Sequence, residues 1–169
     1  MSIGPPPLWN YKDGVYDMSH RRITTQLMNG LAFGGPCAHE FKTLTLAFNE
    51  IGSEGLINTC TWFKKYSTTH MLRLDISFNN IDDGGAEALG KCDVLINNLE
   101  HLHVAGNSIT GKGFGHIVEG FKRSPSLIGL DCSGNNGNID GACHLARLLE
   151  APGTRLASLR LGGNKIDVE

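Results

Sequence analysis

Leu74-Asp75-Ile76-Ser77-Phe78-Asn79-Asn80-Ile81 is the stretch on which the fold turns. Its phrase returns as Leu44-Thr45-Leu46-Ala47-Phe48-Asn49-Glu50-Ile51, Leu102-His103-Val104-Ala105-Gly106-Asn107-Ser108-Ile109, Leu130-Asp131-Cys132-Ser133-Gly134-Asn135 and Leu159-Arg160-Leu161-Gly162-Gly163-Asn164-Lys165-Ile166. The pivots Asn49, Asn79, Asn107, Asn135 and Asn164 recur at 28 to 30 residues, and a fixed period of that length marks a solenoid of stacked turns. A sixth, degenerate copy, Tyr16-Asp17-Met18-Ser19-His20-Arg21-Arg22-Ile23, precedes them with Arg21 at the pivot.

Each copy reads as one mechanical unit. Alternation in Leu74-Asp75-Ile76 suits a short strand with one buried face, and the next copy lays a parallel strand about 4.8 Å away. Where the chain leaves the strand, buried amides need partners, and their loss costs about 1–3 kcal/mol each. An asparagine side chain carries both an acceptor and donors, so a column of the five pivots can bond the turning backbone within and between coils. A Gly-bearing turn then leads into a helix. Leu56, Ile57, Cys60 and Phe63 form one apolar face, with Trp62 at its margin. Ala86, Leu89, Cys92 and Ile96 form a second, Phe114, Ile117, Val118 and Phe121 a third, and Ala142, Leu145, Leu148 and Leu149 a fourth. Wide helices outside and narrow strands inside bend the stack into an α/β horseshoe, with parallel strands on the concave side and helices on the convex side.

Departures from the pattern carry their own expectations. Asn136-Gly137-Asn138 between Asn135 and Ile139 is two residues longer than the corresponding step elsewhere, which predicts a bulge. The segment at 34–39 reads as a turn. Residues 1–15 are expected to form an N-terminal arm or cap, stiffened by Pro5-Pro6-Pro7 and folding Trp9 and Tyr11 over the first coil. Residues 16–169 form the repeat domain of about six repeats, the last incomplete, because the sequence stops three residues after Ile166. The open edge this leaves is expected to be covered by further repeats of a longer polypeptide or by another subunit.

Bulk properties narrow the function. With 169 residues, 40% hydrophobic and 19% charged, the chain belongs with folded domains rather than disordered ones. A net charge of -2 supplies no field for a phosphate backbone, which argues against nucleic acid. Cys37, Cys60, Cys92, Cys132 and Cys143 show no CxxC spacing and read as small buried thiols in a reducing compartment. Neither a signal peptide nor a membrane span is visible, and Ser2 removes the myristoylation signal; cytoplasmic placement is expected.

The phrase LxLxxNxI at this period resembles the ribonuclease-inhibitor subtype of leucine-rich repeats, shared by ribonuclease inhibitors, the sensor domains of NOD-like receptors, RanGAP and the CARMIL actin regulators. It covers about residues 16 to 166. The resemblance implies a right-handed leucine-rich-repeat solenoid, a scaffold used for many protein partners. Leu130 to Asn138, following Ser124-Pro125-Ser126 and preceding Leu149 to Pro152, looks somewhat like CARMIL repeats. The Trp- and Cys-rich alternation of vertebrate ribonuclease inhibitor is absent, as is a NOD-like receptor P-loop. RanGAP-like activity would imply a catalytic arginine near the N-terminal repeats, a place Arg21 or Arg22 could take.

Two surfaces are candidates for binding a protein partner. Asp17, Thr45, Asp75, His103, Asp131 and Arg160 point onto the concave wall in a single row. Within it, Asp75, His103 and Asp131 could instead share a divalent cation or act as acid and base. The second surface is the strand-exit edge, where the residue before each pivot is His20, Phe48, Phe78, Gly106, Gly134 or Gly163. Adjacent Phe48 and Phe78 suit a hot spot, or else lie flat on the loop beneath and only complete the fold. Gly111-Lys112-Gly113-Phe114-Gly115-His116 has the look of a phosphate loop, though the repeat's own turn explains its glycines. Leu27, Met28, His144 and the Lys64-Lys65 pair read as helix faces. The expected function is therefore a non-enzymatic interaction scaffold without cofactor or metal, suited to a place within a larger cytoskeletal or signalling protein. GTPase activation, metal-dependent catalysis and a structural role in a large assembly stay open as alternatives.

Overall fold

A computed structural model describes residues 10–30, 41–66 and 70–166. Trp9, the side chain of Tyr11, the turn at 34–39 and Cys37 lie outside the described residues. Among the described residues, seven three-residue strands form one sheet in chain order: β1 (Asn10–Lys12), β2 (Val15–Asp17), β3 (Thr43–Thr45), β4 (Arg73–Asp75), β5 (His101–His103), β6 (Gly129–Asp131) and β7 (Ser158–Arg160). β1 pairs antiparallel with β2, Asn10 facing Asp17, and every later pairing is parallel. Between strands run α1 (Thr25–Gly30), α2 (Gly52–Tyr66), α3 (Asp83–Gly90), α4 (Asp93–Asn98), α5 (Gly111–Phe121) and α6 (Asn138–Leu149). The helices pack on one another in chain order as the outer layer.

The register puts equivalent residues in columns, and each column is buried because its neighbours above and below are apolar. Tyr16, Leu44, Leu74, Leu102 and Leu130 form one; Met18, Leu46, Ile76, Val104 and Cys132 a second; Ile23, Ile51, Ile81 and Ile109 a third. Beside them stands the asparagine column. Each asparagine reaches back one coil: Asn107 Oδ1 accepts the amides of Asn79 and Ile81 at 3.0 Å, and its Nδ2 donates to the Ile76 and Val104 carbonyls. Asn49 repeats the arrangement in full, and Asn79, Asn135 and Asn164 keep the two carbonyl bonds and accept one amide each, all five asparagines buried.

The helices depart from the sequence reading in three places. Ile57 and Leu149 are exposed, and Thr59 and Gly55 take the inward positions on α2 instead. The face from Ala86 to Ile96 is buried as expected but bends between α3 and α4. There Gly90 lies against α5 so closely that an added Cβ would stand 2.1 Å from the His116 carbonyl oxygen. Most telling is Asn136-Gly137-Asn138, which forms no bulge in the repeat. Gly137 donates to Asn164 Oδ1 at 3.1 Å, the bond that Ile109 makes to Asn135 one coil earlier. Gly137 thus occupies the isoleucine position, the Phe114 ring fills the space its side chain lacks, and Ile139 lies outside the core at 54% exposure. Cys143 is also exposed, unlike the buried free thiols Cys60, Cys92 and Cys132.

Candidate functional site

The strands place the predicted concave row in register, with Asp17, Thr45, Asp75, His103, Asp131 and Arg160 side by side. Three of these residues have a structural duty. Asp17, Asp75 and Asp131 each turn one carboxylate oxygen back to accept the amide two residues on, from Ser19, Ser77 and Ser133 at 2.9–3.0 Å. The Asp-x-Ser spelling is the signature of that turn. The Ser19 amide holds the Asp17 carboxyl below its ordinary range, with Arg21 and His20 adding to the effect. Asp131 offers its other oxygen to Arg160 at 3.6 Å. Asp75, His103 and Asp131 stand in register along the wall, and no group of three or more His, Cys, Asp and Glu among the described residues is placed to hold a metal ion.

A parallel row escaped the sequence reading. Strand residues on both sides of the buried leucine face the same way, so Val15, Thr43, Arg73, His101, Gly129 and Ser158 widen the wall. The His101 ring rests on Gly129, where an added Cβ would stand 2.5 Å from Nδ1. Burial lowers the His101 pKa, and the charges of Arg73 and His103 push the same way.

The strand-exit edge is the more unusual surface. Every position before a pivot has left-handed backbone: φ is 56° at His20, 56° at Phe48, 55° at Phe78, 63° at Gly106, 64° at Gly134 and 71° at Gly163. For a side-chain-bearing residue this conformation costs about 1–2 kcal/mol. Three coils nevertheless place rings there. His20 stacks on Phe48 at 4.4 Å and 11°, and Phe48 on Phe78 at 4.4 Å and 9°. The Phe78 ring leans over Gly106, whose added Cβ would lie 2.3 Å from two ring atoms. Both faces of Phe48 and Phe78 are therefore flanked by rings or backbone, yet each remains 47% exposed.

Other predicted features resolve as packing. Gly111, Gly113 and Gly115 are buried where α5 closes on α3 and α6, which accounts for the glycine run without a phosphate. Met28 is in the core, while Leu27, Lys64 and Lys65 face solvent. A cleft of about 400 Å³ between α3 and α5 is lined by Glu87, Lys91, His116, Glu119, Lys122 and Arg123. Its ion pairs, Lys91 with Glu87 and Lys122 with Glu119, are exposed, and such pairs hold little energy. No helix among the described residues is long and apolar enough to cross a membrane.

Comparison with known proteins agrees with this architecture. The Leucine Rich repeat family matches residues 41–58, 68–90 and 96–114. RAN GTPase-activating protein 2 of Arabidopsis thaliana is 28% identical over 115 residues, 68% of this chain. The chain spans about a fifth of that relative's length, 21%. Among solved structures, Leiomodin-1 Actin-Binding Site 2 superposes with a TM-score of 0.64 at 20% identity, covering 75% of this chain and 76% of that one. At that identity the likeness speaks for the fold.

Proposed function

We propose that this chain, a leucine-rich repeat protein of the ribonuclease-inhibitor subtype, is a non-enzymatic scaffold that grips a protein partner between its concave wall and its strand-exit edge. The observation that carries the reading is the strained ring stack. Half-exposed rings in left-handed conformation are poorly explained by folding alone, since glycine serves the same position in the next three coils, and backbone strain of this kind concentrates at functional sites. Large aromatic side chains also supply much of the energy of protein interfaces. The wall contributes Thr45, Asp75, His103, Asp131 and Arg160 as polar contacts, with Asp17 at its rim. Three buried reduced cysteines suit cytoplasmic placement. The half-buried Leu156, Leu159 and Leu161 beside β7 suit a further coil or subunit packed there.

Two variants test the reading by quantitative pull-down and mass spectrometry from cell extract. Asp75→Asn/His103→Ala/Asp131→Asn keeps the turn acceptors while altering the wall, and Phe48→Gly/Phe78→Gly removes the rings. Partners held by the unmodified protein should drop at least tenfold on one or both variants; equal recovery on all three baits rules the two surfaces out. A second reading, GTPase activation through Arg21, draws on the name of the plant relative and on Arg21 and Arg22 being exposed beside the stack. It predicts faster GTP hydrolysis by Ran in the presence of this chain, and loss of that stimulation on Arg21→Ala.

A further inference from the structure

The rims of the ring stack define what can sit on it. Phe48 is stacked between His20 and Phe78, and Phe78 between Phe48 and Gly106, so these two phenylalanines turn their hydrogen-bearing edges to solvent. Those edges carry the positive part of the ring quadrupole, and their best apolar complement is the negative face of another aromatic ring. Two edges 4.4 Å apart make a platform that one flat side chain can span. Alongside, Gly134 and Gly163 leave a shelf: an added Cβ at either would have within 4 Å nothing but backbone of the preceding glycine. A second polypeptide can approach there without meeting side chains.

We infer that the exit edge takes an aromatic side chain of a protein partner, laid face-down across the rims of Phe48 and Phe78, with the partner's backbone running over the Gly134–Gly163 shelf. This deepens the interaction reading above and rests on it. The charge complementarity of rim and face selects the anchor: an aliphatic side chain gains burial alone, whereas an aromatic ring adds an edge-to-face contact.

A displayed library of random twelve-residue peptides, selected on the full chain, provides the probe. Clones whose binding falls at least tenfold on Phe48→Gly/Phe78→Gly are the edge-dependent set. They should be enriched in Trp, Tyr or Phe, and replacing that residue by Leu should weaken binding three- to tenfold. Gly134→Asn, which tolerates left-handed backbone and adds a side chain to the shelf, should weaken them at least fivefold. Should the glycine double variant unfold by circular dichroism, Phe48→Asn/Phe78→Asn takes its place. Edge-dependent clones that are acidic or aliphatic, or indifferent to the Leu exchange, overturn the aromatic anchor and leave the interaction reading standing. Clones that depend on the wall variant alone overturn the anchor as well. Recovery of clones sensitive to neither surface removes the parent reading and the anchor with it.

Discussion

The exit edge changes character halfway along an otherwise uniform coil. From His20 to Phe78 it carries stacked rings, and from Gly106 to Gly163 bare backbone, although φ stays between 55° and 71° throughout. Under both halves each asparagine Oδ1 accepts the amide two residues past the preceding pivot, and its Nδ2 donates to carbonyls of its own and the preceding coil. The fold therefore dictates the left-handed turn and leaves its occupant open. Glycine meets that demand without strain; the rings meet it at about 1–2 kcal/mol each, while stacking offsets about 0.5–1.5 kcal/mol per pair. The difference teaches that the two halves share a mechanism of stability and differ in what they show to solvent.

That separation can be broken most forcefully in the shared layer. Asn79→Ala and Asn135→Ala each strand several buried backbone groups, and each is expected to lower unfolding stability by about 3 kcal/mol or more. Urea denaturation should give similar losses for the two; a loss confined to one would mean that the halves are held differently. Gly106→Ala against Gly134→Ala sharpens the contrast. Both add about 1–2 kcal/mol of left-handed strain, but at Gly106 the new methyl also displaces the Phe78 ring. An extra 1–3 kcal/mol, the scale of overpacking, is therefore expected there.

The smallest effect lies at the helix starts. Asp82 caps α3 by accepting from Gly84 at 2.8 Å and ties it to Ser53 of the preceding coil, while Gly137 before α6 has no side chain to cap with. Asp82→Ala should cost about 0.5–2 kcal/mol. The hydrogen bond from Ser53 holds the Asp82 carboxyl below its usual value, and Gly84 adds to it. A depressed folded-state pKa means that its stabilisation is present above the unfolded pKa near 4 and is lost as pH falls through the lower folded value. The variant's deficit should therefore shrink in acid, as followed by thermal unfolding between pH 6 and pH 2.

Much of this was legible because the repeat spells its own geometry. Asn79 and its partners were expected to stack because an amide side chain both accepts and donates at the exit turn, and the strand columns followed from alternation. Asn136 to Asn138 misled because text alignment favours Ile139, whereas in space Gly137 takes the bonded position and Phe114, from the neighbouring helix, fills the void. The concave row was located by alternation, but the Asp-x-Ser turns, in which three of its carboxylates each accept a backbone amide, were not.

What the sequence determined by itself is the coil: its period, its buried columns and its asparagine spine, because each depends on residue type at fixed spacing. Tertiary structure alone decided which rings lie over which glycines and which faces they hide. Those outcomes depend on contacts between coils about 28 residues apart, where the presence or absence of a single Cβ decides whether a ring stands free, stacks, or lies down on the next turn.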